Sequence, residues 1–239
     1  ELKEFFGPRL SAMVGSGTLH LFGSSAAGLH LPGADLDLTL CLDRDVSISV
    51  KGSLVNAFAA AFRKSGLHDV KAIPTARVPI VTVSDPEFGL SSDISINNRL
   101  PLANTKLVRT YTLIDDRVRQ LCCLVKQWAK RRSVAEAFAH TPSSYAWTLL
   151  VIYYAQQAQL VPNLQALDCA GLRSEDSVDV TLPTADGRRV ACRFCADPQW
   201  AQQALPPTTP AAAAAAGLAA AEEGASLGAL LLGFFELYS

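Results

Sequence analysis

The stretch "FGSSAAGLHLPGADLDLTL", residues 22–40, decides the fold. A Gly-Ser pair follows a short apolar segment, and Asp35 and Asp37 flank one leucine before an apolar run. Because the side chains of a strand alternate between its two faces, the leucines share one face and the two aspartates share the other. A solvent-exposed strand face tolerates this pattern. A functional site is the alternative, and it requires a partner for the two like charges elsewhere in the chain.

A second acidic strand, "SSDISIN" at residues 91–97, offers such a partner. Ile94 and Ile96 occupy one face of this strand, which leaves Asp93 on the other. If the two strands are neighbours, Asp93 joins Asp35 and Asp37 in one acidic cluster. Divalent cations neutralise such a cluster, and Mg²⁺ in particular prefers carboxylates together with substrate phosphates. The sequence therefore predicts a site for Mg²⁺ (or Mn²⁺) at these three residues, with two ions able to activate an attacking hydroxyl and stabilise a leaving oxygen.

The Gly-Ser pair ahead of the aspartates fits a phosphate-binding turn. Gly23 allows close approach of the backbone, and Ser24 offers a hydroxyl and an N–H group to a phosphate. The dipeptide alone carries little information. Its position between a strand and the Asp-x-Asp pattern makes it more specific.

Residues 1 to about 97 mix strands and helices, whereas the pattern turns helical from residue 101. Five strands are predicted at 18–22, 36–42, 69–74, 78–84 and 89–97, with an amphipathic helix over 53–66. This order predicts an α+β domain with an antiparallel or mixed sheet and helices on one face. Further helices are predicted over 115–132 and 141–160, the latter capped by Thr141, with a hairpin over 178–194 and a low-complexity linker over 206–224.

Composition restricts the class of protein. The 239 residues are 49% hydrophobic and 18% charged, which suffices for a folded core. The net charge of −1 gives no general attraction to nucleic acid or to an anionic membrane. We expect no membrane partner, because the apolar run 227–235 is too short to span a bilayer. The six cysteines are scattered as in a reducing compartment, and Cys192 and Cys195 have only half of a zinc-site spacing.

Taken together, these motifs resemble the DNA polymerase β-like nucleotidyltransferases, and within them the RNA terminal uridylyltransferases of trypanosomatids. The matching segments, in order, are "FGSSAAGLHLPGADLDLTL", "DISINNRLPLANTKLVRTY", "DDRVRQLCCLVKQWAKRR", "TPSSYAWTLLVIYY" and "SLGALLLGFFELYS". The resemblance implies a catalytic palm domain over residues 1–100, with an N-terminal helix that packs on the second domain. Residues 101–239 would form the mainly helical poly(A)-polymerase-associated domain, with an insertion at about 163–219. We expect both chain ends to be trimmed, so that the base-reading segment following Ser239 is absent.

The resemblance also implies roles for individual residues. Metal ligands fall on Asp35, Asp37 and Asp93, and the nucleotide-binding positions fall on Gly23, Ser24, Asn104, Thr105, Lys126, Lys130, Ser144 and Tyr145. Of these, Asn104 and Thr105 would contact the sugar, the two lysines and Ser144 the triphosphate, and Tyr145 the base. Lys126 and Lys130 lie one helical turn apart, which suits a polyanion but is equally typical of a solvated basic face. Tyr145 could instead belong to the core of a capped helix.

The implied activity is the addition of UMP from UTP to RNA 3′ ends. The alternatives are a template-independent poly(A) polymerase of the same fold, a catalytically inactive scaffold in an RNA-processing complex, and a nucleotidyltransferase acting on small molecules. The last of these would not share "NNRLPLANTKL" or "TPSSYAW". Expected partners are UTP, an RNA 3′ end and an RNA-processing or editing complex. The location would be mitochondrial if the resemblance to editing enzymes holds, and cytoplasmic otherwise.

Overall fold

The computed structural model describes residues 14–67, 69–85, 89–205 and 225–239. The chain divides into two compact units. The first comprises the described residues up to Lys106 together with Val180–Cys192, and the second comprises the described residues of Leu107–Asp179 and Arg193–Ser239. The predicted N-terminal helix and the low-complexity stretch 206–224 lie outside the described residues.

A five-stranded mixed sheet forms the first unit, as the sequence predicts. Its strands are β1 (Thr18–Phe22), β2 (Leu36–Cys41), β3 (Lys71–Ile73), β4 (Ile80–Asp85) and β5 (Leu90–Ile96). They lie in the order β1-β2-β5-β4-β3. The central pair β2 and β5 is parallel, and the other three pairs are antiparallel.

The core of this unit lies between the sheet and one long helix. The short helix α1 (Gly23–Ala27) lies between β1 and β2 in the chain, and the long helix α2 (Ile48–Lys64) lies between β2 and β3. The apolar face of α2 packs against the leucines of β2 and the isoleucines of β5, and the buried apolar side chains of α2 are those of Val55, Phe58, Ala59 and Phe62. Because alternation sends these apolar side chains into the core, the polar residues of both strands point to the opposite face.

Helix α2 begins before the predicted residue 53. Ser47 caps it by accepting a hydrogen bond from the Val50 N–H group. The β-branched residues Ile48 and Val50 obscure this signal in the sequence. Gly52 within the helix meets a close neighbour, because a Cβ atom there would lie 2.9 Å from the Pro74 carbonyl oxygen. The glycine thus permits close packing and does not end the helix.

Helices dominate the second unit. Helix α3 (Leu100–Ile114) runs from the first unit into the second, followed by α4 (Asp116–Arg131), a short 3₁₀ turn (Ala137–Ala139), α5 (Ser144–Gln157), α6 (Pro198–Gln203) and α7 (Leu227–Leu237). The predicted hairpin is present as β6 (Ser177–Pro183) paired with β7 (Arg189–Cys195), and its residues Val180–Cys192 belong to the first unit. Within the described ranges, no helix has both the length and the hydropathy that crossing a membrane requires.

The predicted cap of the helix over 141–160 is wrong. Ser143 caps α5 by accepting a hydrogen bond from the Ala146 N–H group. The Thr141 hydroxyl is used elsewhere, since it accepts a hydrogen bond from the Glu136 N–H group and donates one to the Glu136 carbonyl oxygen. Both residues are good capping types, and the preceding turn decides between them.

Candidate active site

The parallel pairing of β2 and β5 places Asp37 directly beside Asp93. Both side chains are half-buried and lie on the sheet face opposite the apolar core. The register is fixed by the buried neighbours, because Leu38 pairs with Ile94 and Leu40 with Ile96, and a slip of one residue would expose all four. The core therefore holds two carboxylates next to each other.

Asp35 lies just before β2 and its side chain is exposed. Among residues 14–67, 69–85, 89–205 and 225–239, no group of three or more His, Cys, Asp or Glu side chains is arranged to hold a metal ion. The structure thus brings together Asp37 and Asp93 and does not bring Asp35 into a three-carboxylate cluster with them. A pair of carboxylates does fit Mg²⁺, which is commonly bound by one or two carboxylates plus substrate phosphates.

Gly23 lies against the Asp37 carboxylate. Its φ is +71°, a conformation that favours glycine. A Cβ atom at this position would overlap the Asp37 carboxylate oxygen Oδ2 and lie 3.0 Å from Cγ. The turn after β1 therefore reaches the carboxylate pair only because residue 23 has no side chain, which gives the Gly-Ser signal a physical basis.

Thr105 fixes the backbone of Gly23. The Gly23 N–H group donates to the Thr105 Oγ1 atom at 2.9 Å, and the Thr105 hydroxyl donates to the Pro101 carbonyl oxygen at 2.7 Å. Asn104, its neighbour in α3, is half-buried. The family resemblance implies a sugar contact for Thr105, and that contact stays a prediction. The hydrogen bond to Gly23 has no signal in the sequence, because its partners are 82 residues apart.

The carboxyl end of the β2–β5 pair is held by a buried polar residue that the sequence did not single out. The Asn97 side chain accepts from the Leu42 N–H group at 2.7 Å and donates to the Arg44 carbonyl oxygen at 2.8 Å. The Thr39 hydroxyl accepts from the Asn98 N–H group. Because these hydrogen bonds join β2 and the segment after it to the residues that follow β5, they help to maintain the register that aligns the aspartates.

In the second unit, the two predicted triphosphate lysines lie on α4. Lys126 is buried, with 7% of its surface exposed, whereas Lys130 is exposed. Burial raises the pKa of the neighbouring Cys122 thiol to about 12, while the charge of Lys126 opposes that rise. Asp115 caps the helix and also pairs with Arg117, and this hydrogen bond raises the pKa of the guanidinium. Of the two lysines, Lys130 has the exposure that is typical of a solvated basic face, and Lys126 does not.

Ser144 and Tyr145 form the first turn of α5. Ser144 is exposed, and Tyr145 has 44% of its surface exposed. Tyr145 is therefore not packed in the core of a capped helix, which was the alternative to a role in binding the base. Trp147 is anchored instead, since its indole N–H group donates to the Val134 carbonyl oxygen at 2.7 Å.

The face of α4 away from the lysines lines an open apolar groove of about 380 Å³. It contains none of the predicted site residues and is lined by Leu124, Gln127, Trp128, Arg131, Arg132, Leu231 and Phe235. The rings of Trp128 and Phe235 meet edge to face at 4.7 Å between centroids. The aromatic residues of α4 and α7 therefore serve packing within this unit.

The known proteins that are similar to this chain include poly(A) RNA polymerases and terminal uridylyltransferases. A family model described as "Poly(A) RNA polymerase, mitochondrial-like, central palm domain" matches residues 6–113. The poly(A) RNA polymerase cid13 of Schizosaccharomyces pombe is 39% identical over 150 residues, which are 62% of this chain and 25% of cid13. The terminal uridylyltransferase cid1 of the same organism is 30% identical over 223 residues, which are 91% of this chain and 48% of cid1. The chain thus spans a quarter to a half of the length of these two relatives.

A solved structure of the Cid1 poly(U) polymerase with Mg and 3′-dATP bound superposes with a TM-score of 0.74 at 27% identity. The match covers 99% of this chain and 65% of that one. None of these matches points to the trypanosomatid branch or to an editing complex. They support a place for this chain in the terminal uridylyltransferase and poly(A) polymerase family of the DNA polymerase β-like nucleotidyltransferases.

Proposed function

We propose that this chain is an RNA terminal nucleotidyltransferase that adds UMP from UTP to RNA 3′ ends. The observation that carries the proposal is the parallel pairing of Asp37 with Asp93, with Gly23 against the Asp37 carboxylate. UTP is proposed as the nucleotide because terminal uridylyltransferases are among the relatives. Human terminal uridylyltransferase 7, for example, is 37% identical over 168 residues. The finer resemblance to editing enzymes, and with it a mitochondrial location, stays a prediction.

In the proposed reaction, the RNA 3′-hydroxyl oxygen forms a bond to the α-phosphorus of the nucleotide. The bond from that phosphorus to the bridging oxygen breaks, and pyrophosphate leaves. An oxygen of the Asp93 carboxylate accepts the hydroxyl proton. When bound, divalent cations supply the positive charge that offsets the charge of the nucleotide phosphates.

Each remaining residue has a role in binding. Asp37, together with Asp93, would hold the cation, and Asp35 is the third ligand in the prediction. Gly23 and Ser24 would offer N–H and hydroxyl groups to a phosphate, and Asn104 would contact the sugar. In the second unit, Lys126, Lys130 and Ser144 would bind phosphate oxygens, while Tyr145 would stack on the base. Stacking alone accepts every base, so the choice of UTP needs further groups.

A poly(A) polymerase is the second candidate, because cid13 carries that name and is among the most similar relatives. The two functions differ in the nucleotide used. The test incubates the purified chain with a labelled single-stranded RNA, Mg²⁺ and each of the four nucleoside triphosphates in turn. We expect extension to be fastest with UTP. Faster extension with ATP would establish the second candidate, and no extension with any nucleotide would contradict both.

A further inference from the structure

The loop between α4 and α5, residues 132–143, carries the most exposed large apolar side chain of the part of the chain that the structure describes. Phe138 lies in the 3₁₀ turn of this loop with 103% of its surface exposed, whereas the next most exposed, Leu232, has 62%. A single exposed apolar side chain is common on protein surfaces and indicates no site by itself. The conformation of the loop and the charges beside it therefore decide how Phe138 is interpreted.

Hydrogen bonds fix the loop on both sides of Phe138. Near its start, the Val134 carbonyl oxygen accepts from the Trp147 indole N–H group at 2.7 Å. Around the turn, the Thr141 hydroxyl accepts from the Glu136 N–H group at 2.7 Å and donates to the Glu136 carbonyl oxygen at 2.9 Å. The Phe138 ring is thus presented on a held backbone, which leaves less conformational entropy to be lost when a ligand binds.

The end of α4 beside this loop is basic. Over residues 117–167 the sequence has six Lys or Arg residues and one acidic residue, Glu136, although the net charge of the whole chain is −1. The last three cations, Lys130, Arg131 and Arg132, are consecutive and exposed. None of these three forms an ion pair with a residue that the structure describes. Such a local excess of positive charge attracts the phosphates of a nucleic acid.

We propose that this loop is a contact site for single-stranded RNA, in which the ring of Phe138 stacks on a base and Arg131 and Arg132 bind phosphates of the same strand. An aromatic ring beside cations is the combination by which proteins bind single strands without reading their sequence. The planar guanidinium group also suits a phosphate. The inference rests on the proposed function for the choice of RNA over another polyanion. It adds a contact with the RNA strand to the residues that would bind the incoming nucleotide.

The first test measures the dissociation constant (Kd) of the full chain for a labelled, unstructured RNA of about 15 nucleotides, by fluorescence anisotropy without a nucleoside triphosphate. We expect Phe138→Ala to raise Kd by roughly 5- to 100-fold, as for the loss of one stacked base. Phe138→Trp keeps an aromatic ring, and Tyr153→Ala removes another exposed ring of the same unit. We expect both of these variants to stay within about twofold of the parent. Because the Phe138 side chain is exposed, its removal leaves the unfolding temperature near that of the parent.

The salt dependence of Kd separates stacking from charge. Each phosphate neutralised on a single strand contributes about 0.7 to the slope of log Kd against log salt concentration. We expect the double variant Arg131→Ala/Arg132→Ala to lower this slope by about 1.4 and Phe138→Ala to leave it unchanged. Arg173→Ala is the matched control, because Arg173 is an exposed arginine of the same unit that is paired with Glu175. A double variant with the slope of the parent would overturn the phosphate contacts.

The same measurements with a blunt RNA duplex test the stacking. The bases of a duplex are stacked inside the helix, so we expect Phe138→Ala to bind it as the parent does. An equal loss of affinity for duplex and single strand, or an unchanged Kd of Phe138→Ala for the single strand, would overturn the inference. A parent chain that binds no RNA would contradict both this contact and the proposed function.

The contact and the proposed function can fail separately. If the parent binds RNA with a Kd that depends on Phe138 but adds no nucleotide, the proposed function fails and the contact stands. If the parent extends RNA and Kd is the same in Phe138→Ala, the contact fails and the function stands.

Discussion

The backbone of Gly23 has a φ of +71°, and a Cβ atom at this position would overlap the Asp37 carboxylate. These are separate constraints. The first concerns the backbone conformation of the glycine alone. The second concerns the space beside Asp37, which is a predicted metal ligand. Gly66, after the end of α2, meets only the first, because its φ is +84° and no atom lies within 4 Å of a Cβ built there.

This difference predicts that Gly23→Ala loses more stability than Gly66→Ala, and that only Gly23→Ala also loses activity. Alanine at a positive φ costs on the order of 1 kcal/mol in the free energy of unfolding. Only Gly23→Ala also displaces the Asp37 carboxylate, so we expect its rate of RNA extension to fall by about 100-fold or more. Denaturant unfolding and single-turnover extension measure the two effects. Equal activity of the two variants would contradict the contact.

Sequence reasoning reached Asp37 and Asp93 because strand alternation and an apolar register are local patterns. It could not reach the Thr105 contact with Gly23, since nothing near either residue indicates a hydrogen bond across 82 positions. Asp35 belongs to the same local pattern, but it lies one residue before β2 and its side chain is exposed, so its role as a metal ligand stays a prediction.

At the scale of elements, the start of α5 separates a structural serine from a candidate binding serine. Ser143 caps the helix through the Ala146 N–H group at 3.2 Å, while the adjacent Ser144 is exposed. Free N–H groups at a helix N-terminus favour an anion. Ser144 is therefore the residue of the pair with a hydroxyl available at this end of the helix.

We predict that Ser143→Ala and Ser144→Ala have different effects. Loss of the cap lowers the free energy of unfolding by about 1 kcal/mol and leaves KM for UTP near the parent value. Loss of the Ser144 hydroxyl leaves stability unchanged and raises KM for UTP several-fold, as expected for one lost phosphate hydrogen bond. Denaturant unfolding and steady-state extension distinguish them. The reverse pattern would contradict the assignment of the cap.

The elements also show where a sequence pattern misleads. The start of α2 was predicted too late, because residues 48–50 are β-branched or serine and Gly52 suggests a break. The structure gives Gly52 a packing reason, the close approach to Pro74, and gives the helix a cap at Ser47. Tertiary contact thus overrides local propensity at both positions.

At the scale of the whole molecule, the candidate residues fall into two groups, one in each unit. The paired carboxylates, the Gly-Ser turn and Thr105 belong to the first unit, and Lys126, Lys130, Ser144 and Tyr145 belong to the second. The change from a strand-rich to a helical pattern near residue 100 already indicates two parts. The assignment of the hairpin residues Val180–Cys192 to the first unit has no signal in the sequence, because it depends on contacts between distant segments.

The central claim is that Asp37 and Asp93, aligned by the β2–β5 register, form the reaction centre. The most direct measurement is the rate of UMP addition by Asp93→Asn, with Asp43→Asn as the matched control, because Asp43 is exposed and follows β2 outside the pair. We predict that Asp93→Asn loses about a thousandfold or more in rate with its fold intact, while Asp43→Asn stays within about twofold of the parent. A folded Asp93→Asn variant that extends RNA at the parent's rate would contradict the account.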